Sequence, residues 1–187
     1  MTIRSAQAAD IPIILELIQQ KAAFDDAMNA CDNPLEATAE RLQRTLFSGV
    51  HSGDVAPFAY VLLAEADTEL APQVIGFALY SFRYSSFRAQ PSLWLDDLFV
   101  VASQRRQGIG TALLQRLIEI AQYQECSHLA WTACVDNVPG VRFYQKHGAK
   151  IVDQRQRRLY FRLPVSYSNF VAIPSSGSQG STAYGSS

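Results

Sequence analysis

The stretch LWLDDLFVVASQRRQGIGTALLQRLIEIA, residues 93–121, decides the fold class because it joins an apolar strand, a basic glycine loop and an amphipathic helix. The strand is indicated by apolar and β-branched residues, and the helix by apolar residues at helical spacing. The strand residues are Leu93, Leu95, Leu98, Val100 and Val101, and the helix residues are Leu113, Leu114, Leu117, Ile118 and Ala121. The glycines of the loop allow close backbone approach, so amide N–H groups and a helix N-terminus can face an anion. The stretch therefore predicts a phosphate-binding turn.

The glycine loop, Ser103 to Gly110, fits neither of two common nucleotide-binding patterns. A dinucleotide fingerprint would place a third glycine where Leu113 stands, and the Walker-type G-x-x-x-x-G-K-[ST] is absent. What remains is Arg105-x-x-Gly108-x-Gly110 directly after a strand, with a second arginine inside it. An ordinary strand-to-helix turn is the alternative. The strand, the arginines and the helix together favour a phosphorylated cofactor.

A second segment supports that interpretation. Residues 128–135, HLAWTACV, predict a buried strand, and DNVPGVRFYQKHGAKIV follows at 136–152. This second part contains an asparagine, a Phe-Tyr pair, a lysine and a Gly-Ala turn. These residues are Asn137, Phe143, Tyr144, Lys146, Gly148 and Ala149.

In this order the two segments resemble the GNAT N-acetyltransferases, which bind acetyl-CoA. The resemblance narrows to the diamine acetyltransferase branch, which includes spermidine/spermine and thialysine acetyltransferases. It rests on VIGFALYSFRYSSF at 74–87, LWLDDLFV at 93–100 and FYQKHGA at 143–149, and also on KAAFDD at 21–26 and EATAERLQRTLF at 36–47. Similarity covers most of residues 3–163.

The chain departs from that branch in two places. Val135, Asp136 and Asn137 stand where Asp-Trp-Asn is usual, and residues 49–55 look like a local insertion. These departures do not change the expected cofactor, but they leave the identity of the acceptor amine open.

The resemblance implies an α/β fold of the GNAT type. Its sheet is mixed and mostly antiparallel, its central strands splay apart around the pantetheine arm of the cofactor, and helices lie on both faces. One N-acetyltransferase domain over residues 1–163 is expected. Residues 164–187 contain eight serines, three glycines and no charge, which is typical of a flexible tail, although VSYSNFVAI could add an edge strand.

Acetyl-CoA is the implied acetyl donor, held mostly by main-chain groups. Backbone of the strand would pair with the pantetheine arm, and loop amides with two arginines would meet the pyrophosphate. The expected contacts are Leu98, Val100, Arg105, Arg106, Gln107, Gly108, Ile109, Gly110, Asn137 and Lys146. Lys146 could equally be a solvated helix charge.

Acetyl transfer from a thioester to an amine requires a base, polarisation of the carbonyl oxygen and an acid for the departing thiolate. The resemblance implies Tyr144 as the acid, with a packed aromatic as the alternative. It implies Asp96 as the base, acting directly or through water. Strand alternation predicts that Asp96 and Asp97 point to opposite faces, so that only one reaches the reacting atoms. Asp97 is then a substrate-binding residue or a partner of Arg83. The carbonyl oxygen would meet an N–H at a strand bulge expected near Leu98–Val100.

The acceptor is expected to be a small cationic primary amine such as a polyamine, a diamine or a lysine-like amine. Asp25 and Asp26 would bind it, because acids cluster around the first two helices and attract cations. A solvated acidic surface is the alternative. An aminoglycoside or protein-lysine acetyltransferase, and a non-catalytic acetyl-CoA-binding protein, are further alternatives. Relatives in the branch are homodimers with a shared acceptor cleft, so we expect a homodimer.

Composition excludes several other classes. Sixteen Lys and Arg against 17 Asp and Glu give a net charge of −1, so no basic field would recruit nucleic acid or an anionic membrane. No apolar run reaches the ~20 residues of a membrane span, and no signal-peptide pattern opens the sequence. Cys31, Cys126 and Cys134 are widely spaced, which favours reduced thiols in the cytoplasm. Three scattered histidines predict no metal site.

Overall fold

The computed structural model describes residues 1–28, 34–47, 56–67 and 71–165. Within these ranges the chain forms one sheet of seven strands in the spatial order β1-β2-β3-β4-β5-β7-β6. The strands are β1 Thr2–Ser5, β2 Tyr60–Ala66, β3 Gln73–Ser85, β4 Gln90–Val100, β5 His128–Cys134, β6 Lys150–Arg155 and β7 Arg158–Pro164. Every neighbouring pair is antiparallel except β4 and β5, which are parallel. The predicted mixed, mostly antiparallel α/β architecture is confirmed.

Four α-helices cover the two faces of this sheet within the same ranges. They are α1 Ile11–Asp26, α2 Ala39–Leu42, α3 Ile109–Tyr123 and α4 Val138–Lys146. Ile14 and Leu17 of α1 pack on one face with Phe77 and Phe99, whereas Leu113 of α3 belongs to the core on the other face. Removing these apolar side chains from water stabilises the two layers at roughly 25 cal/mol per Å².

The two central strands separate soon after they meet. β4 and β5 pair only at Leu93 with Leu129 and at Trp94 with Ala130, although both strands continue beyond these positions. A bulge in β4 follows directly, since Leu79 pairs with Asp97 while the next residue of β3 pairs with Leu95. A bulge bends its strand and increases its twist. The predicted splay is thus present, and it opens a cleft between the strands.

The second helix is shorter than the sequence pattern over residues 35–47 predicts. Its first residue is Ala39, because the Thr38 side chain accepts a hydrogen bond from the backbone N–H of Arg41 at 3.2 Å and fixes the N-cap there. A π-helical turn, Gln43–Phe47, follows. Asp10, which precedes Pro12 and is predicted to cap α1, does occupy the N-cap, but its side chain makes no capping hydrogen bond there. Its carboxylate accepts from Arg4 and from the N–H of Gln7.

Several predictions concern residues outside the described ranges. They are the insertion at 49–55, Cys31, one of the three histidines, His51, and the tail from residue 166. The last strand continues to Pro164, and Val165 is buried after it.

Candidate active site

A cleft of about 540 Å³ occupies the gap where β4 and β5 separate. Its walls come from the end of β4, the loop before α3, the first turn of α3, and α4, with one aromatic side chain from α1. The lining residues are Phe24, Leu98, Phe99, Val100, Gln104, Arg105, Arg106, Gly108, Ile109, Gly110, Thr111, Asn137, Pro139, Gly140, Phe143, Tyr144, Lys146 and His147. Nine of the ten predicted cofactor-binding residues therefore face one cleft.

The N-terminus of α3 opens into this cleft without a side-chain cap. Its N-cap is Gly108, which has φ +84° and carries no side chain to accept from the leading amides. The preceding Arg106 also adopts a left-handed φ of 65°. The first N–H groups of a helix carry a partial positive charge. Here they are available to an anion.

α4 offers an instructive contrast because its N-terminus is closed by its own sequence. The side chain of Asn137 accepts a hydrogen bond from the N–H of Gly140 at 3.0 Å. Of the two helix N-termini at the cleft, only that of α3 lacks such an acceptor within the described chain. The Asn137 amide nitrogen, which this bond does not use, remains a donor for a ligand.

Arg105 is anchored in the protein rather than extended into solvent. Its Nε donates to the carbonyl oxygen of Val100 at 2.9 Å, and its guanidinium lies 4.4 Å from the ring centre of Phe24. Arg105 is one of the residues that line the cleft. Because its side chain is already held, an anion that binds it costs less side-chain entropy than one that binds a free arginine.

Gln107 is the predicted cofactor residue that does not line the cleft. Its side chain donates to Gln104 at 3.2 Å. The side chain is exposed, whereas the predicted contact of this residue is through its backbone amide. The glycine spacing alone could not show which loop residues turn inward.

Tyr144 joins the cleft to the hydrophobic core. Its ring packs against Trp131, with ring centres 4.8 Å apart, and against Phe161 at 5.4 Å. Burial raises the pKa of the Tyr144 hydroxyl well above its usual range, and the charges of Asp97 and Asp25 add to this rise. The phenol therefore stays protonated at neutral pH. It can donate a proton or a hydrogen bond.

The prediction that Asp96 and Asp97 point to opposite faces is wrong. Leu93 and Leu95 pack in the core on the α3 side, and simple alternation would place Asp97 on that side too. The bulge inserts one extra residue, so Asp97 instead contacts α1 on the opposite side. Asp96 also lies on the α1 side of the sheet, as does Trp94 two residues earlier. The bulge was expected near Leu98–Val100, but it lies at Asp96.

Lys21 connects two acids that the sequence left separate. Its Nζ lies 2.5 Å from Asp25 Oδ2 and 2.9 Å from Asp97 Oδ1. Burial on its own would lower the Lys21 pKa. The attraction of the two carboxylates outweighs this effect, and the Lys21 pKa is raised. The i, i+4 spacing of Lys21 and Asp25 indicates their pairing. No sequence signal indicates the link to β4.

Asp96 is held differently. It accepts a hydrogen bond from Trp94 Nε1 at 2.9 Å and a longer one, at 3.4 Å, from Ser81 Oγ. Partial desolvation raises the pKa of Asp96; the Trp94 hydrogen bond opposes this rise, and the Asp97 charge adds to it. A carboxylate with a raised pKa is a stronger base than an ordinary one.

The predicted site residues thus fall into two groups. The predicted cofactor residues other than Gln107 line the cleft together with Tyr144, and the acids Asp25 and Asp97 lie close enough to affect the Tyr144 pKa. Asp26 is exposed and takes no part in the Lys21 ion pairs. Pattern reasoning missed Lys21, and it missed His147, whose Nε2 lies 3.0 Å from Thr111 Oγ1 at the cleft wall.

A splayed mixed sheet, with an open helix N-terminus and two arginines at the splay, defines a domain built to bind a phosphorylated cofactor. The chain belongs to the acetyltransferase (GNAT) family, whose model matches residues 22–149. Members of that family use acetyl-CoA as the acetyl donor. The chain is accordingly an acyltransferase enzyme of the N-acetyltransferase type.

The similarity to the diamine branch is confirmed at modest identity. The chain is 34% identical over 150 residues to human spermidine/spermine N(1)-acetyltransferase-like protein 1, covering 79% of this chain but 20% of that protein's length. It is 27% identical over 164 residues to mouse thialysine N-epsilon-acetyltransferase, covering 86% of this chain and 90% of the relative. A solved ribosomal-protein-alanine N-acetyltransferase from Brucella melitensis superposes with a TM-score of 0.62 at 18% identity, over 83% of this chain and 97% of that one. This last likeness shows the fold.

Two further observations concern the described ranges. None of their helices has the length and apolarity required to cross a bilayer. No group of three His, Cys, Asp or Glu side chains within them lies close enough together to hold a metal ion.

Proposed function

We propose that the protein transfers the acetyl group of acetyl-CoA directly to the primary amine of a small cationic acceptor. One observation carries the proposal: the cleft that holds the uncapped α3 N-terminus also holds Tyr144, whose pKa responds to the acids beside it. A phosphate-binding end and a proton-donating end thus share one cleft.

The donor fits the groups that line this cleft. Acetyl-CoA supplies the thioester whose acetyl group is transferred. The leading amides of α3, with Arg105 and Arg106, suit its pyrophosphate because they combine hydrogen-bond donors with positive charge. The backbone of β4 at Leu98 and Val100, beyond the positions that pair with β5, suits its amide-bearing arm. Asn137, Lys146 and the loop amides from Gln107 to Gly110 complete the proposed contacts.

Two side chains handle the protons. Asp96 accepts a proton from the acceptor amine, directly or through one water, because its raised pKa keeps it basic. The amine nitrogen, now neutral, forms the new C–N bond while the C–S bond breaks, and it then loses its remaining excess proton to water. Tyr144 gives its proton to the leaving sulfur. Its raised pKa keeps it protonated until that moment.

The acceptor side is acidic. Asp25, Asp26 and Asp97 supply negative potential near the reacting end, which draws a cation toward it. The relatives named above include enzymes whose names give polyamines and thialysine as substrates, and each of these carries a primary amine. As parts of the same proposal we place the protein in the cytoplasm, because the spacing of Cys31, Cys126 and Cys134 favours reduced thiols, and we expect a homodimer.

The test is thiol release from acetyl-CoA across a panel of amines that contains polyamines, diamines, basic amino acids, an aminoglycoside and a lysine peptide. The proposal expects release with small cationic amines and a fall of about 10²-fold in Tyr144→Phe. Release with the aminoglycoside or the peptide alone would overturn the acceptor class. Tight acetyl-CoA binding without release for any amine would indicate a non-catalytic binding protein.

A further inference from the structure

A histidine and a threonine join the two helices that flank the cleft. His147 is the C-cap of α4, and Thr111 lies in the first turn of α3. His147 Nε2 lies 3.0 Å from Thr111 Oγ1, and both residues line the cleft. The His147 ring also packs on Phe143, with ring centres 4.5 Å apart. The imidazole is thus held beside the open N-terminus of α3.

The second contact of the imidazole assigns its tautomer. Nδ1 of His147 lies 2.8 Å from the carbonyl oxygen of Phe143. A carbonyl oxygen only accepts hydrogen bonds, so Nδ1 carries the hydrogen, and Nε2 of the neutral ring has a lone pair. The Thr111 hydroxyl therefore donates to Nε2. Its single hydrogen is used in this bond, and the oxygen lone pairs that remain repel a phosphate.

Protonation of His147 reverses this hydrogen bond. With a hydrogen on both ring nitrogens, Nε2 donates to Thr111 Oγ1, and the hydroxyl hydrogen is released for another acceptor. The imidazolium also adds a positive charge at the same place. One proton thus converts the pair from an arrangement that repels an anion into one that offers a donor and a charge.

The charges around His147 link this proton to an anion in the cleft. The titratable side chains that line the cleft with it are Arg105, Arg106, Tyr144 and Lys146. The first turn of α3 carries no charged side chain. The three cations repel an imidazolium, and a pyrophosphate offsets this repulsion by its negative charge. The carbonyl end of α4 favours a cation at its C-cap in either case.

We infer that Thr111 and His147 bind the pyrophosphate of acetyl-CoA, with His147 in its protonated form. The inference rests on the proposed donor binding in this cleft and adds no chemical step to the transfer. The pyrophosphate is the phosphate concerned, because Thr111 follows directly on the leading amides of α3. Donor affinity rises as pH falls through the range in which histidine titrates, and donor binding takes up a proton.

The experiment is calorimetric titration with acetyl-dephospho-CoA from about pH 5.5 to about pH 8.5 at fixed ionic strength. This probe keeps the pyrophosphate but lacks the 3′-phosphate, which would itself take up a proton near pH 6. The parent protein should bind at least about 10-fold more tightly at the acidic end. Proton uptake appears as a dependence of the measured enthalpy on the ionisation enthalpy of the buffer. His147→Gln should remove both the pH dependence and the proton uptake.

Two further variants test the hydroxyl and the specificity of the effect. Thr111→Val keeps the shape and removes the hydroxyl. It should bind about 3- to 10-fold more weakly at the acidic end and almost normally at the basic end, where the hydroxyl donates to His147 instead. His128→Gln is the matched control, because His128 contacts Ser127 and is not among the described residues that line the cleft. It should behave as the parent does.

Four outcomes would contradict the inference. Affinity that does not change with pH, or a pH dependence that persists in His147→Gln, would overturn it and leave the proposed acetyl transfer intact. An equal loss at both ends of the pH range in Thr111→Val would also overturn it. A pH dependence that depends on His147 with acetyl-CoA but is absent with the dephospho probe would move the pair to the 3′-phosphate. Absence of donor binding at every pH would overturn both the inference and the proposed function.

Discussion

Tyr144 combines packing in the hydrophobic core with the proposed role of general acid. Its ring packs on Trp131 and Phe161, which fixes its position, while its environment keeps the hydroxyl protonated. The two alternatives that the sequence left open for this residue, a packed aromatic and a general acid, are compatible. In the proposed mechanism the aromatic contacts hold the hydroxyl in place for its role as the acid.

Replacing Tyr144 with phenylalanine keeps the ring contacts and removes the proton. We expect kcat to fall about 10²-fold or more with little change in acetyl-CoA affinity, because proton donation acts mainly in the transition state. Steady-state kinetics and calorimetric titration measure the two quantities. Tyr123→Phe, at the exposed end of α3, is the control. Turnover within a few-fold of the parent would show that the acid lies elsewhere.

The raised pKa of Asp96 sets the acid side of the pH profile. The base must be deprotonated, so kcat/KM should fall as pH drops through a pKa above the ordinary aspartate value of about 3.9. Asp96→Asn should lower turnover and abolish this acid limb, since asparagine still accepts from Trp94 but cannot take a proton. An unchanged profile in Asp96→Asn would remove Asp96 from the base role.

At the scale of elements, the contrast between α3 and α4 indicates where an anion would bind. Both helices begin at the cleft, but Asn137 caps α4 whereas Gly108 leaves α3 open. The sequence could predict the open end of α3 because glycines and arginines are local signals. It could not predict that β4 carries its bulge at Asp96, because the bulge depends on the pairing of β4 with β3, which is not local.

Gly110→Arg tests the open end of α3. A Cβ at Gly110 would lie 3.5 Å from the Phe143 ring, an ordinary contact, so the variant should fold. The long side chain then fills the space that a phosphate needs, and we expect acetyl-CoA binding to be lost. Gln115→Arg adds the same charge to an exposed position of the same helix and should bind normally. Unchanged affinity in a folded Gly110→Arg protein would contradict the assignment.

Arg4 ties the start of α1 to the sheet. It donates to both oxygens of Asp10, at 2.7 and 2.8 Å, and to Glu65 at 2.8 Å. Arg4→Met should lower the free energy of unfolding by about 1–3 kcal/mol, measured by denaturant titration, because two partly buried carboxylates lose their donor. Arg116→Met, which breaks an exposed pair with Glu119, should change it little.

The same network predicts a pH dependence. The Arg4 hydrogen bonds lower the folded pKa of Asp10, so this contribution is present above the ordinary aspartate pKa. It is lost as pH falls through the lowered folded value. Arg4→Met should therefore be destabilised relative to the parent near neutral pH, and the difference should shrink in acid. A difference that does not change with pH would contradict this account of Asp10.

At the scale of the whole molecule, sequence patterns sufficed to predict the sheet and to bring together most residues around the cleft, and they were weaker for the proposed acceptor side. The proposed cofactor residues lie within two short segments of the sequence, 98–110 and 137–146, so sequence motifs alone can reveal them. The acceptor side is assembled from α1, β3 and β4. Contacts such as that of Lys21 with Asp97 join segments far apart in the sequence, so no residue spacing predicts them.

The expected dimer is tested at this scale. Light scattering should give twice the mass of the chain at working concentration. Asp25→Asn combined with Asp26→Asn should raise the KM for a cationic amine while sparing acetyl-CoA binding, because the local negative potential falls. Glu119→Gln, distant in sequence on α3, is the control. A monomer would remove the shared cleft, and an unchanged KM would leave these acids as a solvated surface.

The most direct test of the central claim is transfer of isotope-labelled acetyl from acetyl-CoA to an amine, followed by mass spectrometry of the products. The account predicts that the label appears on the amine nitrogen of a small cationic acceptor in amounts equal to the thiol released, and that the protein itself retains none. A label that stays on the protein, or thiol release without an acetylated amine, would contradict direct transfer in this cleft.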